Sequence, residues 1–229
     1  MAPFNKNIKL ADLLSFNPQL ILMLPRFGIS LGFGEKRIKD VCEENNVPVK
    51  LFLMLCNVYT FDDYLPLTEE IGDIDGDWMI RYLKASHDYY LNQRLKHIGV
   101  HIEKIAEQAG NIQPILMKFF NDYKNEVKRH FSVEEKTMFP YIESLMHHAD
   151  HTSNCVDNVE RSHVNINNKL SDLTNIIIKY LSPDILPNER IGVWFDIAQL
   201  SKDLNKHAII EEKILIPYVR ILEGGIYNE

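Results

Sequence analysis

One phrase occurs twice in the chain, and this repeat decides how the fold is interpreted. Residues 130–141 read HFSVEEKTMFPY, and residues 207–218 read HAIIEEKILIPY. Each copy places a glutamate four residues after a histidine. Side chains four apart share one helical face about 5–6 Å apart, so His130 can meet Glu134 and His207 can meet Glu211. Polar residues repeated in register within an apolar context indicate a site, because packing alone does not require them.

Long helical patterns surround both copies. These helical patterns are separated by three turn-forming stretches, which are Gly110-Asn111, HHADH at 147–151 and SPDILPN at 182–188. The pattern predicts four helices joined by short connections, which is typical of an all-α, up-down-up-down four-helix bundle. The predicted helices cover residues 78–109, 112–147, 152–181 and 188–222.

The chain before the bundle has a different character. Residues 65–77 gather Pro, Gly and acidic residues, and we interpret them as a linker. Residues 1–64 show short helical patterns around a glycine-rich turn, so we predict a small helical N-terminal domain there. The bundle then occupies residues 78–229. With a linker of this kind, we expect a chain starting near Ile74 to fold by itself.

Each predicted bundle helix carries one histidine on its core-facing stripe. From His87 to His130 is 43 residues, and from His163 to His207 is 44. This spacing indicates two similar hairpins of about 76 residues each, which place six ligand-type side chains at one level. The predicted stripes are Ile80, Leu83, His87, Leu91 and Ile98; Phe119, Tyr123, His130 and Glu134; Val156, Val159, His163, Ile166, Leu170, Leu173 and Ile177; and Ile197, Leu200, Leu204, His207, Glu211 and Leu215.

Four imidazoles and two carboxylates in one core suggest a metal site. Their burial costs several kcal/mol, on the order expected for unpaired charge, unless a partner compensates it. Two cations would do so. Nitrogen and oxygen ligands without sulfur suit iron or manganese, and less specifically zinc. The alternative is a polar core whose members hydrogen-bond one another, as a single core histidine usually does.

Composition and charge exclude several other classes. The net charge of -7 and pI of about 5.7 disfavour nucleic acid as a partner. Cys42, Cys56 and Cys155 form neither a zinc motif nor a disulfide framework, which favours a reducing cytoplasm. We expect no secretory signal, because the N-terminus lacks a basic and apolar leader pattern. No apolar stretch is long enough to predict a membrane span.

The six residues resemble the ligand set of hemerythrin-like domains, which are four-helix bundles with a non-haem di-iron centre. Within that family the chain is most similar to the di-iron proteins that repair iron–sulfur clusters. Oxygen carriers place a second histidine one turn after the third-helix histidine, where this chain has Asn167, and they space their last His and Asp by five residues rather than four. The resemblance implies two histidines per iron, with Glu134 and Glu211 bridging both ions. It also implies open positions for an oxo bridge, O2 or NO. The implied metal ligands are His87, His130, Glu134, His163, His207 and Glu211.

The resemblance extends to the N-terminal domain with one departure. Residues 27–36, FGISLGFGEK, keep Gly28, Ile29, Gly34 and Lys36 of a family motif, but Gly32 and Phe33 replace its adjacent cysteines. Only Cys42, a few residues further on, matches another family cysteine. We therefore expect a docking or dimerising domain rather than thiol chemistry.

A further acid is implied beside the ligands. Glu126 lies one turn before His130, where the family has a carboxylate along an access route to the metals. The second such acid of the family is replaced here by Ser162. The other interpretation of Glu126 is a surface carboxylate. We expect His97, His101, His147, His148 and His151 to be surface residues without matched partners.

Three function classes follow. The first is a stress protein that repairs iron–sulfur clusters or handles iron and NO, with NO reduction as one activity. The second is a sensor or store for O2, NO or iron without turnover. The third is a structural bundle with a redox-silent ion such as zinc. Expected partners are diatomic ligands and iron–sulfur proteins, with the N-terminal domain as the contact to a partner or a second copy.

Overall fold

The structure, a computed structural model, describes residues 4–147 and 159–226. These residues are largely helical, and the only β-type pairing among them is an isolated antiparallel bridge between Lys9 and Arg37. The predicted all-α fold with a helical bundle is confirmed. None of the helices in the described part of the chain has the length and apolar content needed to cross a membrane.

Short helices make up the N-terminal part. They are α1 (Leu10–Phe16), α2 (Ile38–Glu44), α3 (Val49–Thr60) and α4 (Thr68–Gly72), with 3₁₀ turns at Pro18–Leu22 and Pro25–Phe27. Helix α4 lies inside residues 65–77, and Ile71 and Ile74 of this stretch are buried. The boundary between an N-terminal domain and the bundle stays a prediction.

The glycine-rich turn between the 3₁₀ turns and α2 depends on left-handed backbone. Gly28, Gly32 and Gly34 have φ angles of 72°, 99° and 62°. Side chains with a Cβ rarely adopt these angles, whereas glycine does so at little cost. Gly32 stands where the resembling family has a cysteine, so the backbone of this chain itself disfavours a cysteine at that position.

The bundle helices agree closely with the predicted segments. The first consists of α5 (Gly76–Asp88), a π turn (Tyr89–Arg94) and α6 (Leu95–Glu107). The second consists of α7 (Gln113–Val133), a π turn (Glu134–Met138) and α8 (Phe139–Met146). The third is α9 (Val159–Lys179), and the fourth joins α10 (Pro187–Ile210), a π turn (Glu211–Leu215) and α11 (Ile216–Ile226). The predicted start of the third helix at residue 152, with Val156, Cys155, His148 and His151, lies outside the described residues.

The π turns are the feature that the repeated phrase encodes. In both copies the five residues in the middle of the phrase, EEK and the two residues after it, form the π turn, and proline follows two residues later. The amide of Phe139 donates to the carbonyl of Glu134, and the amide of Ile216 donates to the carbonyl of Glu211, each five residues back. Because a proline has no N–H and crowds the carbonyl four residues earlier, a widened turn accommodates it without breaking the helix.

The described residues form two compact units. One draws on residues 87–140 and 159–208, and the other on residues 4–86, 141–147 and 209–226. The first of these contains a continuous apolar core contributed by all four bundle helices. Its buried members include Tyr90, Leu95, Ile98, Ile102, Leu116, Phe120, Tyr123, Val127, Ile166, Leu170, Leu173, Ile177, Val193, Ile197, Leu200 and Leu204.

Two positions of the predicted stripes are wrong. Phe119 is 40% exposed, and its neighbour Phe120 is buried instead. Leu91 is only partly buried, because it lies within the π turn at Tyr89–Arg94, which rotates the following side chains relative to a regular α-helix. Tyr90 takes the fully buried position there.

The other unit brings the N-terminal part against the start of the first bundle helix. The ring of Phe27 lies 4.7 Å from that of Tyr82 and 6.4 Å from that of Trp78. The hydroxyl of Tyr59 accepts hydrogen bonds from Arg26 at 2.9 Å and from Tyr82 at 3.3 Å. These buried aromatic and polar contacts tie residues before the predicted linker to residues after it.

We therefore expect a chain that starts at Ile74 to have a melting temperature well below that of the full chain. The sequence alone had led us to expect that this shorter chain folds by itself. Removing Phe27 from its site costs about 3–5 kcal/mol, as for other buried phenylalanines. Phe27→Ala should lower the melting temperature by ~10 °C, since 1 kcal/mol corresponds to roughly 2–4 °C in a chain of this size. Phe16→Ala is the matched control, because Phe16 is 51% exposed. Equal melting temperatures for the shortened and full chains would contradict this expectation.

Candidate metal centre

All six residues proposed as ligands are buried at the same level of the bundle. The exposed fractions are 1% for His87, 7% for His130, 2% for Glu134, 7% for His163, 2% for His207 and 0% for Glu211. The two histidine–glutamate pairs each span the last turn of an α-helix and the first residue of the π turn that continues it. Regular helix geometry thus aims both members of a pair into the same volume.

The six side chains form two groups that share two members. One consists of His87, Glu134, His207 and Glu211, and the other of His130, Glu134, His163 and Glu211. In each group one nitrogen or oxygen atom per residue lies within 4.8 Å of all the others. A single ion could contact all four atoms of a group, and each group contains two histidines and both glutamates.

Glu134 divides its two oxygens between the groups. Its Oε2 lies 3.3 Å from Nε2 of His87, and its Oε1 lies 3.0 Å from Nε2 of His130. The Nε2 atoms of His87 and His207 are 3.3 Å apart. Each oxygen of Glu134 thus lies beside a histidine of a different group, so this carboxylate could contribute a donor atom to both groups. The distances between these like donor atoms suit convergence on a cation.

His87 is oriented by groups behind it. Its Nδ1 is 2.8 Å from Oε1 of Glu135, so a proton on Nδ1 is donated to that carboxylate and Nε2 faces the centre. The ring also stacks on Phe131, with centroids 3.9 Å apart and planes at 9°. Hydrogen bonds of this kind fix the tautomer of a ligating histidine and raise its basicity. The second glutamate of the first repeat therefore supports a ligand from behind.

A small pocket of about 10 Å³ opens beside three of the histidines. Such a volume is about one water-sized probe sphere, close to the minimum for a small molecule. Asn167 lines it, at the position where the oxygen carriers have another histidine. The lining comprises His130, Phe131, His163, Ile166, Asn167, Leu204, His207 and Ala208.

Glu126 lies on the same helix as His130, beside a cavity of about 360 Å³. Lys169 donates to its Oε2 at 2.7 Å, and Arg129 contacts its Oε1. The hydrogen bond from Lys169 is the main cause that lowers the pKa of Glu126 below 4.5, against burial, which raises it; Arg129 lowers it further. Glu126 is thus an ionised carboxylate that is paired with two positively charged side chains. Its role on an access route stays a prediction.

The remaining histidines behave differently from one another. His147 is exposed in a turn after α8, as expected. His97 and His101 are not without partners, because Asp196 from the fourth helix lies beside them. Their four-residue spacing on one helix was the available signal, but nothing local to it indicates the carboxylate nearly 100 residues further on.

The thiols described in the structure are buried and reduced. Cys42 and Cys56 are free cysteines with 0% and 1% exposure. Burial raises the pKa of Cys42 to about 12 and that of Cys56 well above 9.0. The thiolate is the reactive form, so neither residue is poised for metal or redox chemistry at neutral pH. Cys155 lies outside the described residues.

Residues 79–219 match the hemerythrin HHE cation-binding domain family. The chain belongs to the hemerythrin family. It is also similar to the iron–sulfur cluster repair protein ScdA of Staphylococcus haemolyticus (strain JCSC1435), with 19% identity over 147 residues. That match covers 62% of this chain and 66% of the curated relative, so the chain spans slightly less than two thirds of that protein's length. The matched family is defined by cation binding, and the buried His and Glu groups are able to hold metal ions.

We expect Glu134→Ala and Glu211→Ala each to reduce the metal content sharply, because each carboxylate belongs to both groups. Glu135→Gln should weaken binding about 10–100-fold, as is usual when the hydrogen-bond partner of a ligating histidine is lost. Elemental analysis and metal titration would measure both effects. Glu103→Gln, an exposed carboxylate on α6, is the control. Unchanged stoichiometry in both Ala variants would rule out the two shared ligands.

Metal removal should destabilise the fold. Without cations, four imidazoles and two carboxylates remain in a core that solvates charge poorly, at a cost of about 3–5 kcal/mol. We expect exhaustive chelation to lower the melting temperature by ~10 °C or more. Adding ferrous iron should restore it. Identical melting of chelated and reloaded protein would place the metal outside the core.

The ion pairs of Glu126 predict a specific pH dependence. Since the folded pKa of this carboxyl is lowered from 4.5, its stabilising contribution is present above that pH and is lost as the pH falls through the folded value. At pH 7 we expect Glu126→Gln to be less stable by only ~1 kcal/mol, because Lys169 and Arg129 remain exposed to solvent, which screens their charges. The difference from the wild type should close below pH 4.5 in thermal melts. A constant difference across the range would mean that the ion pairs do not contribute, and Glu103→Gln again serves as control.

Proposed function

We propose that this chain is a non-haem di-iron protein that repairs iron–sulfur clusters or handles iron and NO under nitrosative or oxidative stress. The observation that carries the proposal is the pair of four-residue groups sharing Glu134 and Glu211. Two imidazoles and two bridging carboxylates per ion suit iron or manganese, with zinc as a weaker fit. The similarity to a protein named for iron–sulfur cluster repair supports iron and the cluster-directed role.

The residues of the chain have separate roles in this proposal. His87 and His207 would hold one ion, His130 and His163 the other, and both carboxylates would bridge them. Two iron ions, when bound, would supply one-electron redox chemistry and open coordination positions. Glu135 keeps the proton on Nδ1 of His87, so that Nε2 stays available to the metal. Phe131, Ile166 and Leu204 contribute apolar walls to the pocket beside the histidines.

The size of that pocket favours diatomic ligands. The pocket is small and is lined by three imidazoles and apolar side chains, which suits small ligands better than large ones. O2 and NO are small enough and are poorly hydrated, so an apolar approach does not hinder them. We therefore propose diatomic ligands and damaged iron–sulfur proteins as partners, and we exclude nucleic acid on the grounds of the acidic charge.

A second candidate function is a sensor or store for O2, NO or iron without turnover. The state of the cysteines favours it, because Cys42 and Cys56 are buried and protonated and Gly32 replaces a motif cysteine. A dithiol that would pass iron or electrons to a client is thus missing from the motif. We propose that the N-terminal part instead contacts a partner or a second copy of the chain. The free thiols also support a reducing, cytoplasmic location.

Metal analysis of anaerobically purified protein is the first test, and two irons per chain are expected. The iron-loaded protein is then mixed with an iron–sulfur enzyme inactivated by NO, and recovery of that enzyme's activity is measured. Glu134→Ala is the control that should not restore it. Recovery supports the repair function. Tight NO binding without recovery or NO consumption supports the sensor, and zinc alone at both positions would overturn the redox proposals.

A further inference from the structure

The bundle carries a second cluster of metal-ligand side chains on its surface. His97 and His101 lie four residues apart on α6, with ring centroids 4.6 Å apart. Nε2 of His97 is 3.5 Å from Oδ2 of Asp196 on α10. One donor atom from each of the three residues lies within 4.8 Å of the other two.

This donor set has a definite metal preference. Two imidazoles and one carboxylate suit divalent first-row transition ions, whereas Mg²⁺ and Ca²⁺ prefer all-oxygen sites. Three protein ligands leave one or more positions for water or another ligand. The side chains are accessible to solution, since that of His97 is 53% exposed and that of Asp196 is 20% exposed.

The cluster is separate from the buried centre. It shares no residue with the six ligands of that centre. His97 follows His87 by ten residues in the same bundle helix, which corresponds to about 15 Å of helical rise. An ion here would therefore be exchanged independently of those in the core.

Arg94 holds the carboxylate in place. Its Nη2 lies 3.0 Å from Oδ1 of Asp196, and it donates at 3.0 Å to the carbonyl oxygen of the same residue and at 2.6 Å to Gln199 Oε1. The guanidinium thus contacts Oδ1, whereas Oδ2 of the same carboxylate faces His97. Its positive charge also opposes a nearby cation, so the arrangement favours weaker, exchangeable binding.

We propose that His97, His101 and Asp196 form a mononuclear, exchangeable site for a divalent transition-metal ion. Zn²⁺ is the probe, because it is redox-silent and accepts a site of two histidines and one carboxylate. A site that is exposed, partly open and weakened by Arg94 suits the capture and release of an ion at the protein surface. This inference does not depend on the chemistry of the buried centre.

The test is a calorimetric Zn²⁺ titration of the full-length, tag-free protein whose buried centre is already loaded. One further equivalent per chain is expected. His97→Gln and His101→Gln should each weaken the binding of this Zn²⁺ about tenfold or more. Loss of a hydrogen-bond partner of a ligand already weakens metal binding by this factor, and loss of the ligand itself should weaken it at least as much. Arg94→Gln should strengthen the binding of the additional Zn²⁺, because Oδ1 of Asp196 becomes available and a positive charge beside the site is removed.

His147→Gln is the matched control, since His147 is an exposed histidine elsewhere in the described part of the chain. It should leave the additional equivalent unchanged. Circular dichroism would verify that each variant folds. The proposal is overturned if no additional equivalent binds, if His97→Gln and His101→Gln bind Zn²⁺ like the wild type, or if His147→Gln abolishes the binding.

Discussion

The burial of six ionisable side chains at one level is the constraint on which the bundle depends. Four imidazoles and two carboxylates lie at 7% exposure or less among apolar residues. An apolar core of the same shape would need no such set, and burying it is costly unless positive charge compensates the carboxylates. Metal ions held by the two groups would satisfy that requirement, because each group contains both carboxylates and two of the imidazoles. The helices must therefore present one histidine each at the same height, and the glutamates must point inwards at the same time.

The π turns show how the backbone meets this requirement. Each glutamate opens a π turn and its carbonyl accepts a hydrogen bond from five residues ahead. The widened turn changes the phase of the helix immediately after the ligand pair. Pro140 and Pro217 can then follow in helices that continue as α8 and α11. The residues between the glutamates and the prolines in the repeated phrase thus have a backbone role, which explains why the phrase extends beyond its ligands.

The sequence was sufficient to predict features that depend on a regular spacing of apolar residues, but it was insufficient to predict contacts between helices. The helix bounds and the six-residue set could be predicted because apolar residues recur every three to four positions and each such stripe contains one histidine. Phe119 was placed wrongly because it adjoins Phe120 and either phase fits a short window. The contacts of Glu135 with His87, Lys169 with Glu126 and Asp196 with His97 depend on the rotation of one helix against another. No local pattern specifies that rotation.

The N-terminal part is relevant to how iron would be transferred to another protein under the proposed function. Thiol exchange requires an accessible thiolate, and in the described part of the chain burial keeps both free cysteines protonated. The motif position at Gly32 has a backbone conformation that suits glycine rather than cysteine. Under the proposed repair function, a transfer of iron from the described part of the chain would begin at histidine and carboxylate ligands. Ligands of this kind exchange first-row ions by protonation or by substitution of one donor at a time, without any change in the oxidation state of the protein. Among the described residues, Glu126 is an ionised carboxylate and the exposed cluster around His97 offers metal-ligand side chains, so both have the chemistry that such a transfer would need at the bundle surface.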